Sequence, residues 1–225
     1  MRSFDRGKMI IGIYGASGFG REILSLLKAH PQVTKDIYFV DDGLAGTRVS
    51  GVDVLSLEEF TGLDGQKRVS LAIADSNIRE MLSTKVTNEG ISFETIFDRT
   101  SIVGRDVEIG EGAIVTAYSH ITCSAKIGRH FHANIYSYVA HDCHIGDFVT
   151  FAPRVNCNGN VRIENHAYIG TGAILKQGTP DKPLLIGEGA VVGMGAVVTK
   201  DVPAGAVVAG NPARPLAPKN RMQED

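Results

Sequence analysis

The chain has 225 residues, is 43% apolar and carries 23 Lys and Arg against 25 Asp and Glu, for a net charge of -2. Scattered charge of that balance leaves no basic field for nucleic acid, and no apolar run approaches the eighteen residues of a membrane span. Three cysteines without metal-type spacing, and no leader-like N-terminus, make the reduced cytoplasm the expected compartment.

From the N-terminus, Met9 to Tyr14 is an apolar run, GASGFG follows at Gly15 to Gly20, and Arg21 to Ala29 has helical spacing through Ile23, Leu24, Leu26 and Leu27. This predicts a strand, a tight turn and a helix. A second strand, Ile37 to Val40, ends at Asp41 and Asp42; a third, Val69 to Ala74, precedes a helix near Asn77 to Val86. The expected order is βαββα or close to it. Glycines in such a turn (Gly15, Gly18, Gly20, with Ser17 among them) let a phosphate approach the backbone at a helix N-terminus, and an acid ending the second strand can bond a ribose. The unit is about half of a full dinucleotide fold, so a mononucleotide handle is expected rather than hydride chemistry.

Near Thr100 the pattern changes to hexads. Counting in sixes from Val103, the first residue of all thirteen hexads to Leu175 is apolar: Val103, Ile109, Val115, Ile121, Ile127, Ala133, Val139, Ile145, Phe151, Cys157, Ile163, Ile169 and Leu175. At 43% apolar content such a run arises by chance about once in 10^4 to 10^5 trials. A period of six fits a parallel β-helix, in which each hexad is one side of a triangular coil of eighteen residues. First and fifth positions should point inward, Cys143 and Cys157 among them as small core residues. Glycine at the second position (Gly104, Gly110, Gly128, Gly146, Gly170) suggests a corner requiring positive φ. Residues 181 to 185 shift the phase by five before Ile186, Val192 and Val198 resume it, so an insertion should leave the coil there. The expected division is an α/β Rossmann-like half domain over 1–99 and an all-β β-helix with its tail over 100–225.

Six of the seven histidines lie in the hexads: His120, His130, His132, His141, His144 and His166. Hexad β-helices related to carbonic anhydrase hold zinc with three imidazoles and rely on an H-x4-H pair on neighbouring faces, which is missing here, so no metal is expected. His141 stands at an outward third position with Asp142 directly after it. A carboxylate orients a neutral imidazole and strengthens it as a base. Eighteen residues on is Gly159, whose missing side chain leaves room for an acyl group beside a backbone N–H that can bind an oxyanion.

GASGFGREI, the hexads, VAHDCHIGD (Val139 to Asp147) and VVTKDVPAGAVVAGNPARPL (Val197 to Leu216) together resemble the left-handed β-helix acetyltransferases of nucleotide-linked amino sugars, over nearly the whole chain. The resemblance implies left-handed winding, His141 as base, Asp142 as its acidic partner and Gly159 as the oxyanion N–H. It also implies Asn134, Asp41 and Asp42 as contacts to the sugar nucleotide, with Gly15 to Gly20 near its diphosphate. Ala152, Gly170 and Gly193 would line the pantetheine, with Asn211 and Pro212 near the adenine of coenzyme A. Where relatives of the bacillosamine pathway have a second histidine nine residues after the base, this chain has Thr150, which favours GDP-perosamine as the implied acceptor. Acetyl-CoA as co-substrate, direct transfer to a 4-amino group and a homotrimer follow from the same resemblance. A sugar O-acetyltransferase and a non-catalytic nucleotide-binding scaffold are the alternatives.

Overall fold

The computed structural model describes residues 9–29 and 36–216. Its N-terminal part contains β1 (Met9–Tyr14), α1 (Gly18–Lys28), β2 (Asp36–Val40), β3 (Arg48–Val49), β4 (Val52–Leu55), α2 (Leu57–Thr61), β5 (Gln66–Leu71), α3 (Ser76–Asn88) and β6 (Ser92–Phe93). These strands form one sheet in the order β3-β4-β2-β1-β5-β6, parallel except for the β3–β4 hairpin. β1 is central and has parallel neighbours on both sides, which is why it reads as a continuous apolar run. The β3–β4 hairpin, α2 and β6 go beyond the expected order. They are too short for periodicity to reveal, although Ser56 and Glu59 form a capping box that starts α2.

From Ile96–Phe97 onward, two- and three-residue strands repeat in threes and stack into three sheets. The first face runs through Ile96–Phe97, Ile114–Val115, His132–Ala133, Thr150–Phe151, Tyr168–Ile169 and Val191–Val192; the second through Ile102–Val103 up to Val197–Val198; the third through Glu108–Ile109 up to Leu184–Ile186. Partners stand eighteen residues apart, as in Val115↔Ala133 and Val139↔Cys157. First and fifth hexad residues fill one continuous core, with Phe131, Phe151, Cys143 and Cys157 fully buried. Val103, at the open end of the prism, is 40% exposed because no earlier coil covers it.

Two expectations about the winding need correction. None of the second-position glycines has positive φ; instead the left-handed residue is the fourth of each hexad, at Asp106, Tyr118, Ser124, His130, Tyr136, Asp142, Phe148, Arg154, Asn160 and His166. A left-handed non-glycine costs about 1–2 kcal/mol, and stacking between successive corners offsets part of it. Tyr118 and Tyr136 stack at 5.1 Å, and Phe148 is sandwiched between His130 at 5.1 Å and His166 at 5.3 Å. The second-position glycines are needed for close approach: a Cβ on Gly104 would lie 1.5 Å from Thr122 O, and one on Gly170 would lie 2.6 Å from Val192 O.

The insertion is Thr179 to Pro183, two residues earlier than phase counting placed it. Gly178 N–H still bonds Gly159 O at 2.9 Å and Leu184 N–H bonds Asn160 O at 3.1 Å, so both flanks belong to the coil. Leu184 and Leu185, assigned to the insertion by phase alone, lie in the strand paired with Val161–Ile163.

The N-terminal part packs on the first face. Ile114 and Ile96 share an apolar cluster with Ile11, Ile13 and Ile23. α3 turns Arg79, Leu82, Ser83 and Val86 inward. Arg79 is fully buried and donates to Phe148 O, to Thr150 Oγ1 at 3.1 Å and to Ile73 O at 2.7 Å. Ser83 Oγ and His130 Nε2 share a hydrogen bond of 2.9 Å. The guanidinium Nη atoms of Arg79 and the Ser83 hydroxyl are therefore buried with partners, among them Phe148, Thr150 and His130 of the β-helix.

Candidate active site

His141 lies in the turn from the second face to the third. Its Nδ1 is 2.7 Å from Asp142 Oδ2, and the two side chains remain 45% and 55% exposed. Asp142 occupies the left-handed corner with φ 59°, a conformation that Asp tolerates better than most residues, and this turn folds its carboxylate back onto the preceding ring. Gly159 stacks on the imidazole one coil above. A Cβ there would sit 2.6 Å from both Cε1 and Nε2 of His141, so any side chain at 159 would displace the ring. Among the described residues Gly159 N–H has no acceptor, although its neighbours Asn158 and Asn160 donate to Leu175 O and His141 O. A half-exposed imidazole with Nδ1 held by a carboxylate, next to an uncommitted backbone N–H on the same corner, is an arrangement able to supply a base beside an oxyanion donor. Cys143 lies behind this wall, its Sγ 3.2 Å from Asn158 O.

In the N-terminal turn the glycines serve different ends. Gly15 has φ +101° and donates to Val40 O at 2.9 Å; a Cβ on Gly20 would lie 1.9 Å from Gly15 O; a Cβ on Gly18 would meet nothing within 4 Å. Gly15 and Gly20 are thus required by the turn itself, whereas Gly18 opens it to an approaching group. Ser17 is the N-cap of α1 but makes no side-chain cap bond, so its hydroxyl and the first N–H groups of the helix remain together at the open side.

The acids differ too. Asp41 accepts from Ala16 N–H at 3.3 Å and Gly43 N–H at 3.1 Å, which ties it to the turn. Asp42 accepts from Lys85 Nζ at 2.7 Å, Leu57 N–H at 2.9 Å and Tyr14 Oη at 3.0 Å. The Lys85 bond above all holds the Asp42 carboxyl below its usual range, and burial followed by Asp42 lifts the Tyr14 phenol above its own. Asp42 is a structural hub of three partners, and Asp41 is the freer acid.

Asn134, Ala152, Gly170 and Gly193 form one column at the other end of the first face, each N–H donating to the coil above, and Asn134 Nδ2 also donates to Phe151 O at 2.7 Å. Asn211 and Pro212 follow in the turn that closes the same corner, where Ala213 N–H bonds Val197 O at 2.8 Å. This column borders the first and second faces, whereas His141 borders the second and third. One chain therefore does not bring the two together. Thr150 is buried beneath the N-terminal part with its hydroxyl bonded by Arg79.

Sequence reasoning missed a cavity of about 290 Å³ at the carboxyl end of β5, lined by Ala74 to Asn77, Thr150, His166, Tyr168 and Gly189. Its one legible sign is Asp75, the N-cap of α3, which accepts from Asn77 and Ile78 N–H. Open parallel sheets bind ligands at such carboxyl edges. Among the described residues no three His, Cys, Asp or Glu side chains converge as metal ligands, and no helix is long and apolar enough to cross a membrane.

Residues 10–86 match the family model described as the PglD N-terminal domain. The chain is 49% identical over 214 residues to the GDP-perosamine N-acetyltransferase of Escherichia coli O157:H7, covering 92% of this chain and 96% of that protein. Among solved structures, WeeI from Acinetobacter baumannii AYE superposes with a TM-score of 0.89 at 54% identity, covering 93% of this chain and 100% of that one. The acetyltransferase domain of PglB from Neisseria gonorrhoeae FA1090, in complex with acetyl coenzyme A, superposes at 0.81 with 28% identity, over 93% and 100% of the two chains. A Rossmann-like half domain on a left-handed β-helix, with this similarity across nearly its full length, means that the chain belongs to the hexapeptide-repeat nucleotide-sugar N-acetyltransferase family.

Proposed function

We propose that the protein moves the acetyl group of acetyl-CoA directly to the 4-amine of a GDP-linked 4-amino-4,6-dideoxysugar, with perosamine as the sugar. Membership of the family carries the acetyltransferase activity and the nucleotide-linked amino sugar as acceptor class. The name of the 49% identical relative supports the choice of GDP-perosamine. The observation that carries the chemistry is the His141–Asp142 contact of 2.7 Å beneath the bare backbone of Gly159.

His141 Nε2 takes a proton from the attacking amine as its nitrogen forms a bond to the thioester carbon. Gly159 N–H donates to the oxygen that becomes negative. When the tetrahedral species collapses, the C–S bond breaks and His141 returns the proton to the departing sulfur, leaving amide and free thiol. Asp142 acts through His141 by holding Nδ1. No acetyl-enzyme is needed, because both substrates held together supply the proximity that the reaction requires.

The turn of Gly15, Ser17, Gly18 and Gly20 with Asp41 receives the nucleotide, while the column of Asn134, Ala152, Gly170 and Gly193, with Asn211 and Pro212, belongs to the contact with acetyl-CoA and sugar; Thr150, buried and bonded by Arg79, is left out of that contact. A division of labour near residue 100 accompanies this reading. Because the column and His141 occupy different corners of one prism, the reading includes a threefold homo-oligomer in which one subunit's His141 faces its neighbour's column. The reaction belongs in the cytoplasm, where acetyl-CoA and nucleotide sugars are available.

The test offers GDP-, UDP- and dTDP-linked 4-amino sugars and their 4-hydroxy counterparts with acetyl-CoA, read by thiol release and product mass. GDP-perosamine should be acetylated fastest. Preference for a hydroxyl acceptor, or no thiol release with any sugar, would overturn the proposal.

A further inference from the structure

The thiol of Cys143 is fully buried behind the His141 corner, and its contacts single out one peptide bond. Its Sγ lies 3.2 Å from Asn158 O, nearer than to His141 O at 3.6 Å or to Cys157 Sγ at 3.9 Å. Val161 N–H is directed at the same sulfur. The thiol therefore accepts from Val161 and donates to Asn158 O, using its weak acceptor and its weak donor at once.

This contact has a fixed place in the coil. Ser119 Oγ donates to Asn134 O at 3.2 Å and Ser137 Oγ to Ala152 O at 3.1 Å, each fifteen residues ahead, and Cys143 reaches Asn158 by the same step. What differs is the far side of the peptide. Asn158 O belongs to the unit whose N–H is that of Gly159, which has no acceptor among the described residues and stands against His141. Ala152, by contrast, is followed by Pro153, which has no N–H to offer. The Asn158–Gly159 peptide is trans, so its C=O and N–H point in opposite directions. A carbonyl held inside the prism by a buried thiol turns the N–H outward, to the corner that carries His141.

We propose that Cys143 is a positioning residue for the oxyanion donor: its S–H, bonded to Asn158 O, fixes the plane of the Asn158–Gly159 peptide and polarises Gly159 N–H. The proposal rests on the acetyl-transfer reading above. Hydrogen bonds in a chain strengthen one another by about 10–30% per bond, and removing a whole oxyanion donor lowers turnover by about 10^2 to 10^3. Loss of a group acting one peptide away should do less, about three- to ten-fold. The oxygen is negative only in the tetrahedral species, so the loss should fall on kcat and leave both KM values in place.

Thiol release by the full chain, with acetyl-CoA and GDP-perosamine varied in turn, compares wild type with Cys143→Ala, Cys143→Ser and Cys157→Ala. Cys143→Ala should lose about three- to ten-fold in kcat with both KM values within about twofold. Its kcat should rise at the same pH as that of wild type, because His141 and Asp142 are unchanged. Cys143→Ser keeps a donor beneath the same carbonyl and should recover most of the loss. Cys157→Ala controls for the void, since its sulfur is 3.8 Å from Asn158 O: it should melt lower and turn over near the wild-type rate. Undiminished kcat in Cys143→Ala, a loss carried by KM, a Ser variant as slow as Ala, or an equal loss in Cys157→Ala would each overturn the assignment. A shifted pH profile would overturn it too, by moving the effect to His141. If folded wild type releases no thiol from any sugar, the acetyl-transfer reading itself fails. The amide signal of Gly159 in 15N-glycine-labelled protein then tests the orientation alone: it should move in Cys143→Ala and return in Cys143→Ser, and a signal that Ser does not restore would overturn the positioning role.

Discussion

Phe39 and Phe60 are fully buried in the N-terminal part among a sheet and helices, whereas Phe131 and Phe151 are fully buried inside a prism that has no helix at all. In the first region each apolar residue has a unique setting: Gly12 is small because Phe60 lies against it, where a Cβ would approach to 2.8 Å. In the second, every core residue repeats the environment of the one eighteen positions away, and the chain departs from the pattern mainly at its surface. The proposed sites coincide with such departures in both: the open Gly18 next to sterically required Gly15 and Gly20, and the side-chain-free Gly159 against His141. A scaffold that is uniform inside can thus change one outward residue at a time with little effect on its neighbours.

The sharpest test of that contrast replaces His141, outward and half exposed, by Asn. Turnover should drop by about 10^2 to 10^4, with the unfolding midpoint nearly unchanged, as measured by thiol release and a denaturant melt. Near-wild-type turnover would remove His141 from the reaction. The inverse case is Phe151→Ala, buried in the prism, which should cost about 3–5 kcal/mol in denaturant unfolding; a cost below about 1 kcal/mol would mean that the coil interior is not closely packed.

Between the two regions lies the third test. Burial, with Arg79 and Arg129 adding repulsion, lowers the His130 imidazole to about 4, and His132 is lowered in the same direction, chiefly by burial. A histidine depressed in the folded state takes up its proton first in the unfolded state. Its contribution is therefore complete above an unfolded value of about 6.5 and is lost as pH falls through the window down to about 4, roughly 3 kcal/mol for His130. Unfolding free energies measured across that window should decline toward acid, and His130→Asn, which tolerates the left-handed corner, should flatten the decline. An unchanged slope would assign it to other groups. The smallest effect compares two glycines of one turn. Gly20→Ala puts a Cβ 1.9 Å from Gly15 O and should lower stability by about 2 kcal/mol, while Gly18→Ala, with nothing within 4 Å, should stay within about 0.5 kcal/mol. Equal melting temperatures for the two variants would contradict the crowding at Gly20.

Much of the fold was legible because its rules are local or strictly periodic. Six-residue spacing named the inward positions from Ile109 to Leu175, and adding eighteen to 141 reached Gly159, which lies against the imidazole. The run from Met9 to Tyr14 and the glycine turn identified β1 and the start of α1. Counting failed where backbone sterics decide: it put the left-handed corner at the second hexad position rather than the fourth, and the insertion two residues late.

The amino-acid order alone determined the eighteen-residue coil, the burial of the first and fifth hexad positions and the adjacency of His141 and Asp142, since each depends on fixed separations along the chain. Tertiary structure alone decided that Arg79 is buried against Phe148 and Thr150, that Asp42 is taken up by Tyr14, Leu57 and Lys85, and that Lys176, Lys182 and Lys200 share one cavity wall. The partners of Arg79 and of Asp42 come from segments with no common period. Their partners are chosen by how the two parts dock and where the inserted loop folds back, which no regular spacing encodes.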